Sequence, residues 1–157
     1  MDATLTATPG AISGDGPDKL NSLLRGELSA IETYEQGIQK LEKYPAAAQE
    51  LRRVRDEHRE HARVLREHVS KHGGTPAESS GVWGSFTAAV TGAAAVLGPE
   101  TTIAALKRGE EVGIADYERA IDQPTLPAEC KELIAARLLP RSRDHLASLD
   151  SVLNFLK

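Results

Sequence analysis

Residues 25–38 (RGELSAIETYEQGI) and 108–121 (RGEEVGIADYERAI) are two copies of one segment, 83 residues apart. Seven of fourteen positions are identical: Arg25/Arg108, Gly26/Gly109, Glu27/Glu110, Ile31/Ile114, Tyr34/Tyr117, Glu35/Glu118 and Ile38/Ile121. Each copy carries a glutamate and, seven residues on, a tyrosine within a stripe that is otherwise apolar. Such a repeat restricts the chain to folds built from two similar halves. The polar pair also needs partners, because a buried carboxylate without them costs several kcal/mol, on the order of the stability of a whole domain.

The stripes have helical period. Leu20, Leu24, Glu27, Ile31, Tyr34, Ile38 and Leu41 step by four and three, and Leu51, Val54, His58, His61, Leu65 and His68 repeat the pattern before Gly73-Gly74. A third stripe runs Ile103, Leu106, Glu110, Gly113, Tyr117 and Ala120, and a fourth Leu138, Ser142, His145, Leu149, Val152 and Leu156. Pro17, Pro45, Pro99 and Pro127 stand where these patterns begin, and proline suits a first helical position because its missing N–H has no intrahelical acceptor there. The expectation is an all-α four-helix bundle with helices of roughly 20 to 28 residues, about 30 to 40 Å long.

The connections suggest a plan of two antiparallel hairpins, 17–72 and 99–157, in one domain, after a loose tail at 1–16 rich in Gly, Pro, Ser and Thr. The long segment 73–98 between them is expected to run back along the bundle and bring the third helix parallel to the first. Within it Ser79 or Ser80 would cap a short crossover helix carrying Trp83, Phe86, Val90 and Leu97. The repeat continues weakly. His58-Arg59-Glu60-His61 aligns on Ser142-Arg143-Asp144-His145 at an offset of 84, whereas Gln49-Glu50-Leu51 aligns on Lys131-Glu132-Leu133 at 82. Extra residues therefore enter the fourth helix near Pro140, and a distortion is expected just before His145.

Composition narrows the function classes. Net charge is −4, and 19 Lys and Arg are interleaved with 23 acids, which argues against a nucleic-acid partner. The uncharged run from Gly81 to Pro99 is too short and too weakly apolar to indicate a membrane span. A cytoplasmic protein is the expectation. The single cysteine, Cys130, excludes an internal disulfide, and with no metal or nucleophile motif beside it a packing or surface role is expected. No Gly-x-Ser-x-Gly and no phosphate loop is present. The arginines at 52, 53, 55, 59, 63 and 66 match a solvated helix face paired with Asp56, Glu57, Glu60 and Glu67.

Placing the four stripes together brings Glu27, His61, Glu110 and His145, one from each helix, to similar height. His58 lies one turn from His61, and Tyr34 and Tyr117 two turns from the glutamates of their own copies. Carboxylates with neutral imidazoles make a ligand set for a first-row divalent ion such as iron, manganese or zinc. With its Gly-Glu-x-x-x-Ile-x-x-Tyr-Glu motif at 26–35 and 109–118, the histidines His61 and His145, and the hairpin–crossover–hairpin plan, the sequence resembles the ferritin-like superfamily. It is most similar in these features to the rubrerythrin-like branch and related bacterial bundles of unassigned function. That resemblance, over about residues 18–157, implies an interior able to hold two irons for ferroxidase-type or other oxidoreductase chemistry.

The departures from the pattern bear on metal number. Ferritin-like di-iron sites take a Glu-x-x-His pair from each of two helices, and here His58 and Ser142 stand three residues before the histidines. Without those bridging carboxylates one ion fits better than two, unless Glu57, one turn before His61, turns inward. The expected ligands are Glu27, His61, Glu110 and His145, with His58 optional, and Tyr34 and Tyr117 orient the carboxylates. The alternative is a metal-free polar layer of the same groups in a non-catalytic bundle acting through self-association or partner binding. A homodimer would then use apolar residues off the main stripes, such as Leu23, Leu28 and Val69. His68 and His72 are expected to be partly exposed and not ligands.

Overall fold

A computed structural model describes residues 15–81 and 98–157. Four long rods result: α1 (Asp15–Lys40), α2 (Pro45–Lys71), α3 (Pro99–Ile121), and a fourth made of α4 (Ala128–Leu133), a π-helical segment (Ile134–Leu138) and α5 (Leu139–Leu156). No strand occurs among the described residues. The prolines mark the starts as their chemistry requires. Pro45 and Pro99 open α2 and α3, Pro127 caps α4, and α1 begins two residues before Pro17, at Asp15. Gly73, in the left-handed region at φ 84°, ends α2, and the Gly74 N–H closes back on Val69 O at 2.9 Å. Most of the expected tail and the crossover residues Trp83, Phe86, Val90 and Leu97 lie outside the described residues.

α1 packs most extensively on α2, and α3 on α5. α1 also faces α3, and α2 faces α5, so the rods close a ring around one axis. Neighbours run antiparallel throughout. Between α1 and α3 the pairs are Glu27 with Tyr117 and Tyr34 with Glu110, and between α2 and α5 they are Arg53 with Ser148 and Glu57 with His145. The third helix is thus antiparallel to the first, which corrects the parallel arrangement expected from the length of the connection. After α2, Asn21 Nδ2 donates to Thr75 O and its Oδ1 accepts from the Ala77 N–H, at 2.8 Å each, and Ser80 donates to Glu32, so residues 75–80 follow α1.

Two apolar clusters fill the axis. One gathers Leu20, Leu24, Leu65, Val69, Ile134 and Leu138, and the other Leu41, Leu51, Val54, Ile103, Leu106 and Leu149, all essentially inaccessible. Between them lies a layer of buried polar groups. Leu23 and Val69 belong to the first cluster, and Leu28 is half-buried against it. The large apolar residues left exposed in the described chain are Tyr44 and Phe155. The arginine-rich face of α2 is solvated and paired: Arg53 with Glu50 and Glu57, Arg59 with Glu35 and Asp56, Arg63 with Glu60 and Glu67. None of the described helices is long and apolar enough to cross a membrane.

The expected distortion before His145 is the π-helical segment, where the Leu139 N–H reaches Ile134 O, five residues back. A wider turn absorbs inserted sequence without unwinding the helix. It lies immediately ahead of Pro140, whose missing N–H would otherwise break the ladder. Downstream of it, Ser142, His145 and Leu149 face the axis.

Candidate metal centre

Each helix of the ring brings its polar residues into the layer because the same stripe carries leucines above and below them. Glu27 and Glu110 are 5% exposed, His58 4%, His61 3% and His145 fully buried. Tyr34 and Tyr117 are buried with them. His58 occupies the middle. Its Nδ1 lies 2.5 Å from Glu27 Oε2 and its Nε2 2.8 Å from Glu110 Oε1. A carboxylate only accepts hydrogen bonds, so two ionised carboxylates require hydrogens on both ring nitrogens, and His58 is an imidazolium bridging them. The sequence suggested only an optional role for it.

The tyrosines cross between the repeats. Tyr34 donates to Glu110 Oε1 at 2.6 Å, and Tyr117 donates to Glu27 Oε1. His61 Nδ1 approaches the same Glu27 oxygen at 3.3 Å. His145 Nε2 meets Glu57 Oε2 at 2.7 Å, and Glu57, a quarter exposed, is also held by Arg53. Glu57 therefore stands behind His145 at the edge of the layer. The other nitrogen of His145, Nδ1, is buried without a hydrogen-bond partner. It lies 3.4 Å from Glu110 Oε1, out of line for a bond. Ser142 donates to Leu138 O of its own helix and takes no part.

Burial by itself would raise the carboxyls, but His58 outweighs it at both. Glu27, with His61 beside it as well, is held far below the usual carboxylate range, and Glu110, with His145 adding to the effect, falls to about 2. Burial opposes the charge on His58, yet the two carboxylates carry it up to about 10. Burial and the adjoining carboxylates push both tyrosine hydroxyls well above their ordinary value, so they remain donors. Glu57 is lowered because His145 and Arg53 outweigh its partial desolvation.

Two triads bring ligand atoms within 4.8 Å of one another, Glu27 with His58 and His61, and Glu110 with His58 and His145. Both use His58. A cavity of about 50 Å³ adjoins them between α1 and α3, bordered by Gly26, Ala30, Gly109 and Gly113. Small side chains there leave room for a few waters beside the carboxylates. On the opposite side, between α2 and α5, a pocket of about 190 Å³ reaches His61 and Glu57 past Arg137 and Arg141.

Residues 16–123 match the model of a family described as a domain of unknown function, DUF2383. That span covers α1, α2 and α3, with Glu27, Tyr34, Glu57, His58, His61, Glu110 and Tyr117, and stops short of His145. No curated protein and no solved structure matches the chain.

Proposed function

The chain belongs to this family of unknown function, and from the geometry of its polar layer we propose that it binds one divalent first-row metal ion, of the iron type, at the centre of the bundle. The observation that carries this reading is His145. With Nε2 set against Glu57, its Nδ1 faces the layer, buried and without a hydrogen-bond partner. A carboxylate behind an imidazole is the arrangement that orients metal-bound histidines. Glu27, Glu110, His61 and His58 complete the donor set, and two carboxylates with neutral imidazoles leave a doubly charged ion electrically balanced.

The donor set does not suit a carboxylate-bridged iron pair. Ser142 is committed to its own backbone, and His58 fills the gap between the glutamates. An iron ion held there would supply oxidation of Fe(II) by oxygen or peroxide. The chain's own contribution is to keep two carboxylates ionised in a buried layer, to orient them with Tyr34 and Tyr117, and to fix the imidazole of His145 from behind. His58 must give up at least one ring hydrogen to become a ligand. Without metal, the same residues form a hydrogen-bonded layer, so the alternative is a metal-free bundle that acts through association.

Metal content decides between them. Full-length protein purified without chelator, then loaded with Fe(II), Mn(II) or Zn(II) and dialysed, should hold metal that the double variant Glu27→Gln/Glu110→Gln does not. Equal metal content in wild type and variant would refute the central site.

A further inference from the structure

Two turns beyond His61, the last turns of α2 place His68 and His72 on one face, four residues apart, with ring centroids 6.2 Å from each other. Pro127 starts α4 directly opposite and delivers Glu129 and Cys130 to the same spot. One atom from each of the four residues lies within 4.8 Å of all the others. Nothing in the linear order joins them, since 56 residues lie between His72 and Glu129 and Cys130 stands apart from any motif.

The cluster offers one sulfur, one oxygen and two nitrogen donors at one spot. Cys130 is fully buried, and its Sγ lies 3.6 Å from His68 Nδ1. Zinc bonds of ~2.3 Å to sulfur and ~2.05 Å to nitrogen, at a tetrahedral angle, put those atoms ~3.6 Å apart. His72 Nε2 stands 2.7 Å from Glu129 Oε1, yet the ring nitrogen points past the oxygen, and this atom, shut off from solvent, has no hydrogen-bond partner. The other Glu129 oxygen is taken by Lys71 at 2.8 Å. One carboxylate oxygen is thereby left for an ion.

We propose that His68, His72, Glu129 and Cys130 form a second metal site, closed and tetrahedral, for Zn(II) or an ion of similar size and softness. One thiolate, one carboxylate and two neutral imidazoles balance the charge of a divalent ion, and the cysteine selects a softer metal than the oxygen-rich centre does. Bound there, the ion ties the end of the first hairpin to the beginning of the last rod, at the edge of the apolar cluster that includes Cys130. On binding, the thiol proton leaves to solvent and a metal–sulfur bond takes its place. The site does not depend on the central one being a metal centre.

Cobalt separates the two sites, because only this one contains sulfur. Titration of the reduced full-length chain with Co(II) should raise a near-ultraviolet thiolate-to-cobalt band together with intense visible tetrahedral bands, the sulfur band reaching the intensity of one thiolate-bound ion per chain and bleached by Zn(II). The band should survive in Glu27→Gln/Glu110→Gln and disappear in Cys130→Ser and in His72→Gln. His72 is half-buried at the helix end, so His72→Gln keeps the fold and carries the comparison if Cys130→Ser does not. Absence of the sulfur band in the wild type, or its persistence in His72→Gln, would overturn the proposal. Loss of metal from the centre with this band intact would count against the central reading alone.

Discussion

The Tyr34 hydroxyl donates to Glu110 Oε1 at 2.6 Å, from one repeat to the carboxylate of the other. Tyr117 returns the same bond to Glu27. The duplicated motif is thus completed only across the two halves, each tyrosine serving the glutamate it does not share a helix with.

Tyr34→Phe and Tyr117→Phe should therefore have similar effects. Each removes a donor to a buried ionised carboxylate, a loss of about 1–3 kcal/mol. Chemical denaturation of the two variants should show comparable falls in midpoint, and a second hydroxyl deletion should add to the first unless the layer rearranges as a unit. Two very different losses would argue against the reciprocal arrangement.

His58→Leu should be the most damaging single change in the layer. It leaves Glu27 and Glu110 facing one another without the cation between them, and breaking a buried ion pair on one side costs about 3–5 kcal/mol. Added divalent metal should restore part of the lost thermal midpoint, because it supplies positive charge to the same gap. No recovery with any of Fe(II), Mn(II) or Zn(II) would mean that the cavity does not admit a cation.

Stability of the metal-free protein should be greatest between about pH 4.5 and 6.5 and fall on both sides. The folded value of His58 is raised to about 10, so its contribution is complete below the unfolded value near 6.5 and is lost as pH climbs through 10. The folded value of Glu110 is depressed to about 2. Its contribution is complete above roughly 4.5 and disappears as pH drops towards 2. Urea midpoints across this range should trace a plateau whose alkaline shoulder is missing in a His58→Gln variant.

Removing one residue from the π-helical segment should be far better tolerated than removing one from α5. Deleting the exposed Ala136 lets the wide turn relax to ordinary helix while α5 keeps its facing. Deleting the exposed Arg143 turns His145 and Leu149 by ~100° away from the axis. Circular dichroism melts of the two deletions provide the comparison, and equal damage would show that the π turn has no such role.

The bundle and its boundaries were legible because leucines at helical spacing and prolines at helix starts are local signals. So was the distortion, since a shift of repeat offset from 82 to 84 beside Pro140 has no other outlet in a helix. Helix direction was not legible, because a connection as long as 73–98 can return the chain to either end. That one error hid the tyrosine exchange: parallel copies would leave Tyr34 and Tyr117 about 10 Å along the axis from both glutamates. The prominence of His58 was hidden for a related reason, as its two nitrogens serve both repeats and the repeats had to be oriented first. His68, His72, Glu129 and Cys130 are two short fragments whose proximity exists only in the folded chain. The four-residue histidine spacing and the helix start at Pro127 were the signals available.

The Glu27–His58–Glu110 bridge makes the two halves unequal. A lone imidazole already engages both carboxylates, and the matching place on the last rod bears Ser142, turned to its own backbone. The halves are not interchangeable: a pairing of two identical first hairpins would bring two rings into competition for the same oxygens.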